Sequence, residues 1–233
     1  MTLAGQTSPD GPPHLSHPGL MPVMQEWAQI TLALIEARTN SPRDDLISLW
    51  AHTEGWDSKH VLEETVLLLD GGAETTRTVI ARTLLNLVAN PAEWSKLKAG
   101  ADLTVAVEEF IRYVTPIHNM CRVATTDYDI GGETVRKGQQ VVLMYGSANR
   151  DPRAFEDPER FDVTRQPNQQ IAFGFGTHFC LGAALARSEI RIFFEELIRR
   201  VDTFSLTPGS VPVEMPNAFV YGLRSANVDF IFS

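Results

Sequence analysis

Cysteine is scarce: Cys121 and Cys180 are the only two in 233 residues. Two thiols make neither the cross-linked framework of a small secreted scaffold nor a four-cysteine zinc site. Positive charge is scarce as well. Twenty Lys and Arg against 29 Asp and Glu leave a formal charge of −9, which repels phosphate backbones and argues against a nucleic-acid partner. Apolar runs such as Val66–Leu69 fall far short of the ~20 residues that cross a bilayer, so no membrane span is expected. Residues 1–20 combine neither a basic start nor an apolar core, so no secretory signal is expected. A cytoplasmic protein with reduced thiols follows as the expectation. What is present, 43% hydrophobic and 21% charged residues, suits a globular chain with a sizeable core.

Periodicity gives the organisation. Residues 1–22, rich in Pro, Gly, Ser and His, read as a loose arm. From Val23 the apolar positions Val23, Trp27, Ile30, Leu34 and Ile35 share one helical face, and Asn40-Ser41-Pro42 ends it. A short helix from Ser41-Pro42 through Trp50 is expected next. Asp57 or Ser58 then caps a long helical pattern ending at Asn90-Pro91. Unbroken, that beam would hold about 32 residues and span about 48 Å. Helices at about 91–99 and 103–114 follow. Residues 117–147 carry β-branched residues between Gly131-Gly132 and Lys137-Gly138, which predicts short strands and hairpins. Residues 148–170 are an irregular Pro-, Asp- and Arg-rich loop. Residues 182–201 form a last helix, and strands follow from Phe204. The fold class is α+β, mainly α with small β.

The densest chemistry lies in Phe173-Gly174-Phe175-Gly176-Thr177-His178-Phe179-Cys180-Leu181-Gly182. Glycines let a backbone turn sharply and approach a flat surface. A cysteine before a helix N-terminus is held as a thiolate by the N–H groups and dipole there, and such a thiolate is a good iron ligand. Other readings compete. A free cysteine is most often a buried small hydrophobe. A dinucleotide loop requires a third glycine where Phe179 stands. Zinc requires more ligands than His178 and Cys180. A cysteine-nucleophile hydrolase requires a base and an orienting group that nothing here marks.

This loop resembles the haem-binding signature of the cytochrome P-450 monooxygenases, F-x-x-G-x-x-x-C-x-G, with Phe173, Gly176, Cys180 and Gly182 at the fixed positions. The resemblance implies that Cys180 is the proximal ligand to the iron of haem b, with Phe173, Gly174, Gly176 and Gly182 shaping the loop. Asp70-Gly71-Gly72-Ala73-Glu74-Thr75 resembles the family's oxygen-activation motif. Two glycines inside a helix are costly, about 1 kcal/mol each relative to Ala, and suggest a local kink or bulge. By resemblance, Gly71 and Gly72 leave room over the haem, Thr75 supports protonation of dioxygen, and Glu74 links that path to solvent. Glu109 and Arg112 resemble the family's buried Glu–Arg pair, with Arg160 of Pro158-Glu159-Arg160-Phe161 as its third member. Arg122 and His178 fall where the family contacts the haem propionates.

The pattern order covers residues 23–233 and corresponds to the C-terminal half of the cytochrome P-450 fold. The N-terminal half, with part of the substrate pocket, has no counterpart in residues 1–22. The resemblance implies an oxidoreductase that takes electrons from a ferredoxin or flavin-type redox partner. It would insert one atom of dioxygen into a small hydrophobic substrate. The wording around Asn119–Arg122 and the cysteine loop is similar to bacterial members acting on sterols and other lipids. Arg187 and Arg191 are candidates for docking the redox partner. The alternative is a truncated, non-catalytic haem-binding fragment or pseudo-enzyme.

Overall fold

The computed structural model describes residues 21–233. Most of the expected arm lies outside them; its last two residues, Met21 and Pro22, already belong to the first helix. The chain forms two compact units, one ending at Ala73 and the other running from Glu74 to Ser233.

In the first unit, α1 (Met21–Asn40) packs against α2 (Leu46–Ala51) and α3 (Ser58–Ala73). The second helix starts later than Ser41-Pro42 suggests. Asp45 is its true cap: Asp45 Oδ1 accepts from the Ser48 backbone N–H at 2.8 Å, satisfying a donor that the first turn leaves over. Residues 41–45 are spent on reaching that cap, with the Arg43 N–H donating to Ser48 Oγ at 2.9 Å. Arg38 Nε donates to Asp45 Oδ2 at 2.5 Å and ties the cap back to α1. Asp57 Oδ1 accepts from the backbone N–H groups of Lys59 and His60 and starts α3.

The second unit begins where the expected beam breaks. Helix α4 (Thr75–Ala89) follows α3 after the single residue Glu74, in keeping with the interruption expected around Gly71-Gly72. Helices α5 (Pro91–Lys98) and α6 (Leu103–Val114) come next, the latter capped by Asp102 Oδ1 on the Thr104 N–H. Strands β1 (Asn119–Val123) and β4 (Gln140–Met144) pair antiparallel, with Arg122 opposite Val141. Between them lies the β2 (Tyr128–Ile130) and β3 (Glu133–Val135) hairpin, turned by Gly131 and Gly132 at φ 60° and 90°. A single turn, α7 (Tyr145–Ala148), leads into the irregular loop. Helix α8 (Ala183–Arg200) leads into β5 (Val201–Leu206), which pairs with β8 (Val228–Phe232) around the shorter β6 (Val213–Glu214) and β7 (Leu223–Ser225).

The core of this unit is helical. Helix α6 packs against α4 and α8, and Phe110 and Phe194, both fully buried, meet at 4.7 Å between ring centroids. Phe161 from the irregular loop joins them. The described residues are mainly α with small β, as the pattern predicts, and their strands pair in four two-stranded sheets. No described helix is long and apolar enough to cross a membrane.

Candidate functional site

The cysteine loop is set by two left-handed glycines. Gly174 and Gly176 have φ of 73° and 70°, a region that L side chains rarely enter. Gly174 is confined as well: a Cβ there would meet the Tyr145 hydroxyl at 3.4 Å. These turns fold the loop back so that the Cys180 N–H donates to the Phe173 carbonyl at 2.9 Å. A 3-10 turn over Gly176–His178 separates them. Cys180 is exposed, not packed into the core. The Ala183 N–H donates to its carbonyl at 3.3 Å as α8 begins, and Gly182 lies beside Cys180 Sγ. The apolar side chains along this stretch face outward: Phe175 is 88% exposed and Leu181 87%.

Behind the loop, Glu109 and Arg112 form a fully buried bidentate pair, with Nε to Oε2 at 2.7 Å and Nη2 to Oε1 at 2.8 Å. Two buried charges are tolerable only when their remaining hydrogen-bonding groups are satisfied. Here Arg112 also donates to the carbonyls of Asn149, Pro158 and Arg160, so each of its N–H directions has an acceptor.

The expected third member stands corrected. The Arg160 guanidinium meets Asp162 at 3.3 Å and is 59% exposed. Its backbone carbonyl is what turns inward, which sends the side chain away. The inward guanidinium belongs to Arg165, 10% exposed, with Nε 3.2 Å from Glu109 Oε2. Asn168 Nδ2 and the Asp162 N–H also donate to Glu109. Sequence reasoning missed Arg165, Asn168 and Asn149. Asn149 is fully buried; its Nδ2 donates to Thr115 Oγ1 and its Oδ1 accepts the Ile171 N–H. It thereby fastens the end of α6 to the approach of the cysteine loop.

Gly71 and Gly72 lie in the last turn of α3, and a Cβ at either would meet nothing within 4 Å. Across the break, Glu74 Oε2 accepts from Arg77 Nη2 at 2.5 Å. Glu74 Oε1 is so close to Gly222 that a Cβ there would stand 2.9 Å from it. Thr75 is half-buried at the first position of α4. Two turns further, buried Arg82 donates to the Tyr221 and Gly222 carbonyls and pairs with Glu214, while its guanidinium stacks on the Tyr221 ring. Burial, and then the positive charge of Arg82, pull the His118 pKa below its usual value.

Of the expected propionate partners, Arg122 Nη1 donates to the neighbouring Cys121 carbonyl at 3.0 Å. Both Arg122 and His178 are exposed, and neither pairs with a carboxylate among the described residues. Arg187, one of the two docking candidates, is paired with Glu108 at 2.5 Å. Arg191 pairs with Glu195.

A family model for cytochrome P450 matches residues 102–230, more than half of the chain. The chain belongs to the cytochrome P450 family. It is 38% identical over 216 residues to a steroid C26-monooxygenase from Mycolicibacterium smegmatis, covering 91% of this chain and 54% of that protein. It is 37% identical over 211 residues to a linalool 8-monooxygenase from Pseudomonas putida, covering 88% and 52%. Among solved structures, CYP109E1 from Bacillus megaterium in complex with testosterone superposes with a TM-score of 0.83 at 35% identity, covering 89% of this chain and 59% of that one. The chain thus spans about half the length of the relatives it matches.

Cytochrome P450s bind haem b, and the donor set of this cytochrome P450 fits that group. Porphyrin supplies the in-plane ligands of its iron, so a single protein donor suffices. Cys180, like Cys121, is an exposed free thiol, but it is Cys180 that stands in the glycine-turned loop ahead of α8. A flat apolar macrocycle suits a glycine-turned loop with outward Phe175, Phe179 and Leu181. Its carboxylates call for cations, and Arg122 and His178 are available.

Proposed function

We propose that this chain is the haem-bearing part of a cytochrome P450 monooxygenase acting on a small hydrophobic substrate such as a steroid, terpenoid or lipid. The observation that carries the reading is the exposed Cys180 thiol in a loop closed by the Cys180 N–H to Phe173 carbonyl bond. When bound, haem supplies the activation of dioxygen that inserts one oxygen atom into an unactivated C–H bond, with electrons from a ferredoxin or flavin-type partner.

The residues of the chain divide the remaining work. Cys180 binds the iron through its sulfur. Gly174, Gly176 and Gly182 keep side-chain bulk away from the loop, and the Phe173 carbonyl orients Cys180 by accepting its N–H. Arg122 and His178 hold the propionates. Thr75 Oγ1 passes a proton inward, and Glu74 Oε1 and Oε2 connect it to solvent. Gly71 and Gly72 keep the end of α3 free of side chains. Glu109, Arg112 and Arg165 fix the irregular loop to the core.

The steroid C26-monooxygenase and linalool 8-monooxygenase relatives support an apolar substrate. One experiment decides first: add haem to the purified chain, reduce it and add carbon monoxide. A strongly red-shifted Soret band is the expected result. Absence of haem uptake rules out the monooxygenase reading for this chain.

A further inference from the structure

Glu108 has no part in the buried Glu109 network, although it directly precedes Glu109 on α6. Its carboxylate faces the cysteine loop and holds two groups there. Oε1 accepts from Arg187 Nε at 2.5 Å, and Oε2 accepts from Arg187 Nη2 at 3.1 Å. Oε2 also accepts from Gln170 Nε2 at 3.0 Å. Each contact continues into the loop. The Arg187 Cζ lies 4.5 Å from the centroid of the Phe173 ring, and Gln170 Oε1 accepts the Ala172 N–H at 2.7 Å. A closed ring results: Glu108, Gln170, Ala172, Phe173, Arg187 and Glu108 again.

Phe173 is the residue on which the loop closes, because its carbonyl accepts the Cys180 N–H at 2.9 Å. Its ring is held by the stacked guanidinium, and its preceding N–H is fixed through Gln170. A cation over an aromatic face adds directional attraction to the packing. A bidentate Arg–carboxylate pair fixes the plane of that cation. The Glu108 carboxyl sits below the usual carboxylate range: burial pushes it up, but the hydrogen bonds from Arg187 and Gln170 outweigh this. The ring is therefore charged and intact at neutral pH.

We propose that Arg187, anchored by Glu108, is a positioning residue for the haem ligand: it clamps Phe173 and thereby fixes the carbonyl that orients Cys180. This rests on Cys180 being the ligand, as proposed above. The clamp explains why Arg187 is turned toward the loop instead of being free on the surface. It also sets out two different contributions. The charge of Arg187 holds Glu108, and the planar face of Arg187 holds Phe173.

The test is amide hydrogen exchange in the peptide spanning residues 173–182 of the full chain without haem, paired with the carbon monoxide spectrum of the haem-loaded chain. Arg187→Leu should speed exchange at the Cys180 amide about five-fold, the effect of losing roughly one hydrogen bond's restraint on a local opening. Exchange in α6 and in the C-terminal half of α8 should be unchanged. Arg187→Lys keeps the charge but not the fork or the stack, so its loop should exchange nearly as fast as that of Arg187→Leu. A role limited to joining α6 and α8 would instead let lysine restore slow exchange. Phe173→Leu combined with Arg187→Leu should be non-additive, since both remove the same contact. In the loaded chain, the fraction of the carbon monoxide complex with the red-shifted band should fall in the same order as loop protection.

Should Arg187→Leu fail to fold, Arg187→Lys and Glu108→Gln carry the test. Unchanged exchange at Cys180 in these variants overturns the clamp whatever haem does. If exchange behaves as expected but no variant, nor the parent chain, takes up haem, the clamp stands and the monooxygenase reading fails.

Discussion

Arg165 Nε lies 3.2 Å from Glu109 Oε2, whereas Arg160, five residues earlier in the loop, gives the site only its carbonyl oxygen. The same carbonyl accepts from Arg112 Nη2 and from Arg165 Nη2. Two buried or nearly buried guanidinium groups thus converge on one peptide oxygen and one carboxylate. The irregular loop supplies three carbonyls to Arg112, those of Asn149, Pro158 and Arg160, and Arg165 is the loop cation that reaches the Glu109 carboxylate.

This relationship separates two arginines that the sequence alone does not distinguish. Arg165→Ala should destabilise the chain by about 1.5–3 kcal/mol, the cost of losing hydrogen bonds to a buried charge. Arg160→Ala should stay within about 0.5 kcal/mol, as for an exposed pair. Arg112→Leu should be the most severe, about 3–5 kcal/mol, since Glu109 would keep its buried charge without its main partner. Urea denaturation of the three variants ranks them, and equal losses for Arg160 and Arg165 would refute the assignment.

Much of the fold was legible in the sequence because its signals are local. Asn90-Pro91 marks the end of α4, and Gly131-Gly132 places the hairpin. The cysteine loop was legible through its resemblance to a family signature, carried by Phe173, Gly176, Cys180 and Gly182. The choice of Arg165 over Arg160 was not, since it depends on which way a carbonyl faces in a segment without periodicity. Asn149 was hidden for the same reason: an asparagine in a Pro- and Asp-rich stretch reads as a surface turn, yet it is fully buried. The late start of α2 followed from a cap at Asp45 that competes with the Ser-Pro start signal at Ser41. The ring through Glu108 joins residues far apart in the chain and leaves no local mark.

Replacing Cys180 by serine tests the ligand. A hydroxyl is not deprotonated by a helix dipole at neutral pH and is a poor match for the iron of a thiolate site. Cys180→Ser should abolish the red-shifted carbon monoxide band. Cys121→Ser, on the exposed β1, should leave it intact. A retained band in the Cys180 variant would show that another donor holds the haem.

Thr75→Ala addresses proton delivery separately from ligation. The variant removes one hydroxyl at the start of α4 and should keep the band, since Cys180 is untouched. The ratio of product formed to reductant consumed, measured in the haem-loaded chain with a redox partner under conditions that give turnover in the parent chain, should fall several-fold, on the scale of losing a general acid. A ratio equal to that of the parent would remove Thr75 from the proton path.

Acid should loosen the first unit through Asp45. Its pKa is lowered from 3.8 to about 2, first by the hydrogen bond from Arg38 and then by the Ser48 N–H of the cap. A carboxylate depressed on folding stabilises the fold fully above its unfolded value. That contribution fades as pH falls from 3.8 toward about 2, because the unfolded chain takes up the proton first. Asp45→Asn retains an N-cap acceptor but not the ion pair with Arg38. The stability difference between the parent chain and Asp45→Asn should therefore be constant above that window and shrink steadily within it. Urea denaturation followed by the fluorescence of Trp50 and Trp56, which stack at 6.5 Å in this unit, reports the difference at each pH. A difference that did not change across the window would mean that the Arg38–Asp45 pair contributes nothing to the folded state beyond the cap.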